Sequence, residues 1–61
     1  MHTIIIIDDE YYFRQAIIKY ISNYNEQYTV IAEANNGKNG IEKIKEFKPD
    51  IILIDITMPQ M

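Results

Sequence analysis

The sequence has no cysteine. That absence excludes disulfide bonds and cysteine-ligated zinc, two of the usual ways of holding a small chain together. Long apolar runs are missing as well. The longest aliphatic stretches, residues 4–7 and Ile51–Ile54, fall far short of the roughly 20 residues of a membrane span. The first is also too short for the apolar segment of a secretory signal, and Asp8, Asp9 and Glu10 follow it at once. There is no cationic surplus: 6 Lys and Arg face 9 Asp and Glu, for a net charge of -3. This segment therefore gives no reason to expect direct binding to nucleic acid or an anionic membrane. With only two glycines and two prolines, it contains no linker, internal repeat or low-complexity tract. The reading is a soluble, cytoplasmic segment.

What is present is the ordinary mix of a globular domain, 48% apolar and 25% charged. Its 61 residues allow one small domain at most, and a domain of that size buries only about 60% of its unfolded surface. Residues 3–7 form a continuous β-branched run, the signature of a strand buried on both faces in a parallel sheet. Phe13, Ile17, Tyr20, Ile21 and Tyr24 recur at helical spacing, with Arg14, Gln15 and Lys19 on the other side. The spacing predicts a helix over 10–24 with Phe13, Ile17 and Tyr20 in the core. Its acids lie at the N-terminus, where they complement the helix dipole. Tyr28–Ala34 reads as a second strand. Asn36 is the expected N-cap of a second helix over 38–47, with Ile41 and Ile44 inward. Gly40 inside that helix costs about 1 kcal/mol relative to alanine. Pro49 breaks the chain, and Ile51–Ile54 reads as a third strand, buried on both faces like the first. The order β-α-β-α-β with short connections implies an α/β parallel sheet with right-handed crossovers.

In open α/β sheets, sites lie outside the carboxyl ends of the strands. Asp8 and Asp9 end the first strand and Asp55 ends the third. If those strands are neighbours, three carboxylates converge. Such anions repel one another, and a hard divalent cation such as Mg²⁺, which prefers carboxylate, water and phosphate oxygens, removes the repulsion. A carboxylate beside such an ion can also attack phosphorus to give an acyl phosphate. The plainer alternative is that these aspartates merely punctuate strand ends and cap helices.

Three blocks in order, IIIIDDE with Arg14 five residues after Asp9, then EANNGKNGIEKI, then KPDIILIDITMPQM, resemble the amino-terminal half of a response-regulator receiver domain, the phosphoacceptor module of two-component signalling. DDEYYFRQA resembles the subgroup joined to AraC-type helix-turn-helix output domains. The resemblance implies a truncated flavodoxin-like (CheY-like) receiver with three parallel strands in the order 2-1-3, a partial domain over 1–61. It implies Asp55 as the phosphoacceptor. Asp9 would be a direct Mg²⁺ ligand, Asp8 would act mainly through water, and Thr57 would offer its backbone carbonyl to the metal. Met58 and Pro59 would shape the following loop. A histidine kinase would be the donor, and DNA would be reached only through an output domain absent from these residues. Tyr11 and Tyr12 would flank the kinase-facing surface. Glu10 is read as a helix start, Arg14 as a solvated or surface-paired helix residue, and His2 as a terminal residue without a phosphohistidine role.

Relative to the family pattern, the later strands with their Ser/Thr, aromatic and Lys groups are missing. The expectations are an exposed third strand that self-associates, weak Mg²⁺ binding and poor phosphate retention. Two other functions compete. Asp55-Ile56-Thr57 resembles the nucleophile motif of haloacid-dehalogenase-type phosphohydrolases, although that fold places the motif after its first strand. A receiver-shaped interaction module that is never phosphorylated is the other.

Overall fold

The computed structural model describes residues 1–24 and 26–55. Five elements follow one another: β1 (His2–Ile7), α1 (Tyr11–Tyr24), β2 (Tyr28–Ala34), α2 (Gly37–Phe47) and β3 (Ile51–Ile54). The strands form one parallel sheet in the order β2-β1-β3. Right-handed connections in that order send α1 and α2 to opposite faces of the sheet. β1 is the central strand, and Ile4, Ile5, Ile6 and Ile7 are all almost fully buried. Ile5 and Ile7 form a cluster with Ala34 on the α2 side, packed against Ile31, Ala32 and Ile44. In the β1–β2 register Ile4 faces Val30 and Ile5 faces Ala32, so Ile31 is an extra residue in β2, the two-against-one count of a bulge.

Asn36 caps α2 as its residue type favours, its Oδ1 accepting from the Asn39 N–H at 2.8 Å. The helix ends at Lys48, which adopts a left-handed conformation (φ 47°) and donates its N–H to the Ile44 carbonyl at 2.9 Å. Pro49 then prevents continuation. Gly40 has a specific reason to be glycine. It is buried against β1, and a Cβ there would lie 2.4 Å from Ile7 Cδ1 and 2.9 Å from Ile7 Cγ1. The missing side chain lets α2 approach the sheet, so the residue is a packing device rather than only a helix defect.

Three expectations about burial are corrected. Phe13, Tyr20 and Tyr24 are exposed, while Ile17 and Ile21 are half-buried. α1 makes its main contacts with β2, and Tyr20 and Tyr24 meet ring to ring at 5.1 Å while both stay exposed. Ile41 is exposed too, and Ile44 carries the inward contact of α2. β3 is not buried on both faces, because Ile52, Leu53 and Ile54 are each more than a third exposed. The main helix contacts fall on β1 and β2 instead. The element boundaries differ slightly as well: β1 includes His2, α1 begins at Tyr11 and α2 at Gly37.

Candidate acidic phosphoryl site

The parallel ladder carries the acids to one end of the sheet. Ile7 pairs with Ala34 on one side and Ile54 on the other. The ladder runs one residue further on both sides, with the Asp8 N–H donating to Ala34 O and the Asp55 N–H to Ile7 O, each at 3.0 Å. Asp8 then folds its carboxylate toward the start of α1, where Oδ1 accepts from the Glu10 N–H at 2.8 Å. The Glu10 carbonyl takes the first helical bond, from the Arg14 N–H at 3.0 Å, which makes Glu10 the helix-start residue. Asp8 is buried, Asp9 exposed and Asp55 half-buried.

These three residues can each offer a carboxylate oxygen within 4.8 Å of the others. They line an open groove of about 490 Å³ together with Glu10 and an apolar wall that includes Phe13, Ile17 and Leu53. Among the described residues the donor set is oxygen only, and no Lys or Arg lines the groove. A carboxylate cluster of this kind suits a hard cation such as Mg²⁺ better than a transition metal that prefers nitrogen or sulfur.

Arg14 departs from its expected place on the surface. It is about nine-tenths buried. Its Nε donates to Glu33 Oε1 at 2.5 Å, and its Nη1 donates to the backbone carbonyl of Asp8 at 2.7 Å. Gln15 Nε2 donates to the same Glu33 oxygen at 2.7 Å. The guanidinium also lies 5.5 Å from the Tyr11 ring centroid. A signal was present in the sequence: Glu33 stands near the carboxyl end of the second strand, the same sheet edge from which the Arg-bearing helix departs.

Tyr11 and Tyr12 are exposed near the acidic end and meet edge to face. His2 lies at the opposite end of β1, its ring 5.2 Å from that of Tyr28, away from the acids. Thr57, Met58 and Pro59 lie outside the described residues.

A parallel α/β sheet with an acidic pair after its first strand and an aspartate after the adjacent third defines a class of acidic-pocket domain. The family model for the response regulator receiver domain matches residues 4–61, and the chain belongs to that family. The chain is 43% identical over 61 residues to the transcriptional regulatory protein YdfI of Bacillus subtilis, covering 100% of this chain and 28% of that protein. It is 43% identical over 58 residues to the chemotaxis protein CheY of Thermotoga maritima, covering 95% of this chain and 47% of that one. A protein-glutamate methylesterase/protein-glutamine glutaminase of Lawsonia intracellularis is 41% identical over 61 residues, covering 100% of this chain and 17% of that protein. The chain thus spans half or less of the length of these relatives.

Proposed function

We propose that this chain is the phosphoacceptor part of a two-component response regulator, taking a phosphoryl group on Asp55 from the phosphohistidine of a histidine kinase. One observation carries the reading: Asp8, Asp9 and Asp55 converge at the carboxyl ends of two adjacent parallel strands. In the step proposed, an Asp55 carboxylate oxygen attacks phosphorus and the phosphorus–nitrogen bond breaks. The electron pair leaves with the imidazole, and an acyl phosphate remains on Asp55. Water later attacks the acyl phosphate, releasing inorganic phosphate and restoring the carboxylate. Asp9, Asp55 and the Thr57 carbonyl would hold Mg²⁺, with Asp8 acting through water, and the ion would neutralise charge on the phosphoryl oxygens. Asp8 is fixed by its bond from Glu10, whereas Asp9 is free of burial and open to solvent and a docking partner.

The same 61 residues align with relatives named as a transcriptional regulator, a chemotaxis protein and a methylesterase, so they do not specify an output. Transcription control through a DNA-binding output domain, of the AraC type by sequence resemblance, is the reading for the whole protein, in the cytoplasm. The chain itself is a substrate for phosphotransfer and not an enzyme acting on others. Exposed Tyr11 and Tyr12 would face the kinase. Within the described residues β3 pairs only with β1, and an apolar edge of that kind recruits other strands. The 61-residue chain therefore self-associates through β3; light scattering that finds only monomer across concentration would remove this part.

Acetyl phosphate with Mg²⁺, followed by borohydride trapping, tests the chemistry. Trapping converts an aspartyl phosphate to homoserine, so short-lived labels are captured. The expected product is homoserine at position 55 in low yield, absent from Asp55→Ala. A trapped product only at Asp8 or Asp9, or none at all, would defeat the reading. Steady turnover of a phosphomonoester would instead favour the phosphohydrolase alternative.

A further inference from the structure

Arg14 lies outside the acidic groove, yet it holds the turn that carries the acids. We propose that Arg14, anchored by Glu33, is a positioning residue that sets the direction of the Asp8–Asp9 turn and through it the affinity for a divalent cation. The inference rests on the metal reading above. Three hydrogen bonds fix Asp8: its N–H to Ala34 O, its Oδ1 from the Glu10 N–H, and its carbonyl from Arg14 Nη1. The first two come from backbone donors set by the ladder and the helix start, and only the third depends on the side chain of another residue. The Asp8 carbonyl belongs to the same planar peptide group as the Asp9 N–H. Holding that oxygen therefore fixes the direction in which Asp9 leaves the strand.

Glu33 cannot simply follow the arginine, because Gln15 holds the same Oε1 from a neighbouring position on α1. The arrangement needs a planar fork that donates in two fixed directions, to a carboxylate and to a carbonyl. An ammonium is a point donor and does not reproduce it. The guanidinium is also deeply buried, where a charge is costly unless each partner is in place.

The test compares the 61-residue chain with Arg14→Lys and Glu33→Gln. It uses Mn²⁺ as the probe, its free concentration read by electron paramagnetic resonance, with thermal unfolding alongside. Amide shifts of Asp9 and Glu10 are recorded without any ion. Arg14→Lys is expected to weaken Mn²⁺ binding about tenfold, the low end for groups that support metal ligands, and to move both amide signals. Glu33→Gln weakens binding less. An Arg14→Lys chain that melts earlier but binds Mn²⁺ as the parent does, with unmoved amides, has lost only stability and overturns the proposal. If Arg14→Lys does not fold, Glu33→Gln decides by the same two readouts. If the parent binds Mn²⁺ no better than Asp9→Asn, the metal reading falls and the claim on affinity with it. In that case shifted amides still support the positioning of the turn, and unmoved ones overturn it.

Discussion

β1 and β3 have almost the same side chains, IIII at residues 4–7 and IILI at Ile51–Ile54, and opposite fates. The β1 isoleucines are 0–4% exposed, whereas Ile52, Leu53 and Ile54 are 37–42% exposed. Register puts Ile5 beside Ile52 and Ile7 beside Ile54, so the paired residues point to the same faces of the sheet. The difference lies in what surrounds them. β1 has a strand on each side and α2 across Ile7 at Gly40. Among the described residues β3 has one strand neighbour, and the helices put their main contacts on β1 and β2. Apolar composition states a preference for burial, while position in the sheet decides whether it is met.

The sharpest way to break this comparison is to truncate one residue of a register pair at a time. Ile5→Ala removes a fully buried side chain and should cost about 2–5 kcal/mol. In a domain of this size that is enough to leave the chain largely unfolded by circular dichroism in the absence of denaturant. Ile52→Ala removes one that already meets water, and should cost less than about 1.5 kcal/mol. The cost of Ile52→Ala is read from its urea midpoint at low protein concentration, and that of Ile5→Ala from the ellipticity lost without denaturant. Equal costs would mean that β3 is covered in solution, and a cost for Ile52→Ala that grows with concentration would identify a second copy as the cover.

A smaller effect tests how closely the covered region is packed. Gly40→Ala improves intrinsic helix propensity by about 1 kcal/mol, but the added Cβ meets Ile7 at 2.4 and 2.9 Å. Ile7 is fully buried, and overpacking costs about 1–3 kcal/mol. The net expectation is a loss of about 1 kcal/mol in thermal or urea unfolding, recovered in part by Ile7→Val in the same chain. A net gain would mean that Ile7 turns aside freely and that this interface is looser than its burial implies.

Gly40 also shows where sequence reading stops. The elements and the Asn36 cap were legible because they rest on local rules, namely β-branched runs, helical spacing and a capping residue, whereas the strand order was implied by the resemblance to receiver domains. The meeting of Asp8, Asp9 and Asp55 followed from the rule that sites form at the carboxyl ends of strands once the first and third strands were taken as neighbours. Facts that depend on a distant partner were not legible. A helical stripe containing Phe13 and Tyr20 signals an inward face without saying what lies opposite, and here much of it stays exposed. Arg14 reads as a surface cation until Glu33, 19 residues away, is brought beside it. The extra residue at Ile31 follows no local pattern and appears only in the β1–β2 register.

The last and smallest expected effect concerns the end of β3 opposite the acids, where the less covered strand is nevertheless latched to β1. The Asp50 Oδ2 accepts from the Thr3 N–H at 2.9 Å and from Thr3 Oγ1 at 3.2 Å. The Asp50 N–H in turn donates to Thr3 O at 3.1 Å and to Oγ1 at 3.0 Å. The backbone hydrogen bond from Thr3, followed by the one from its side chain, holds the Asp50 carboxyl below its ordinary value of 3.8. A group whose folded value is lowered contributes fully above its unfolded value, and loses that contribution as pH falls through the folded one. The difference in unfolding midpoint between the parent and Asp50→Asn should therefore be constant near neutrality and shrink as pH falls below the ordinary carboxylate value. Comparison with Asn cancels the titration of the other acids, which both chains share. The side chain is exposed, so solvent and salt weaken the effect. A difference that persists undiminished in acid would mean that the latch works through its neutral hydrogen bonds, and that charge adds nothing to holding β3 on β1.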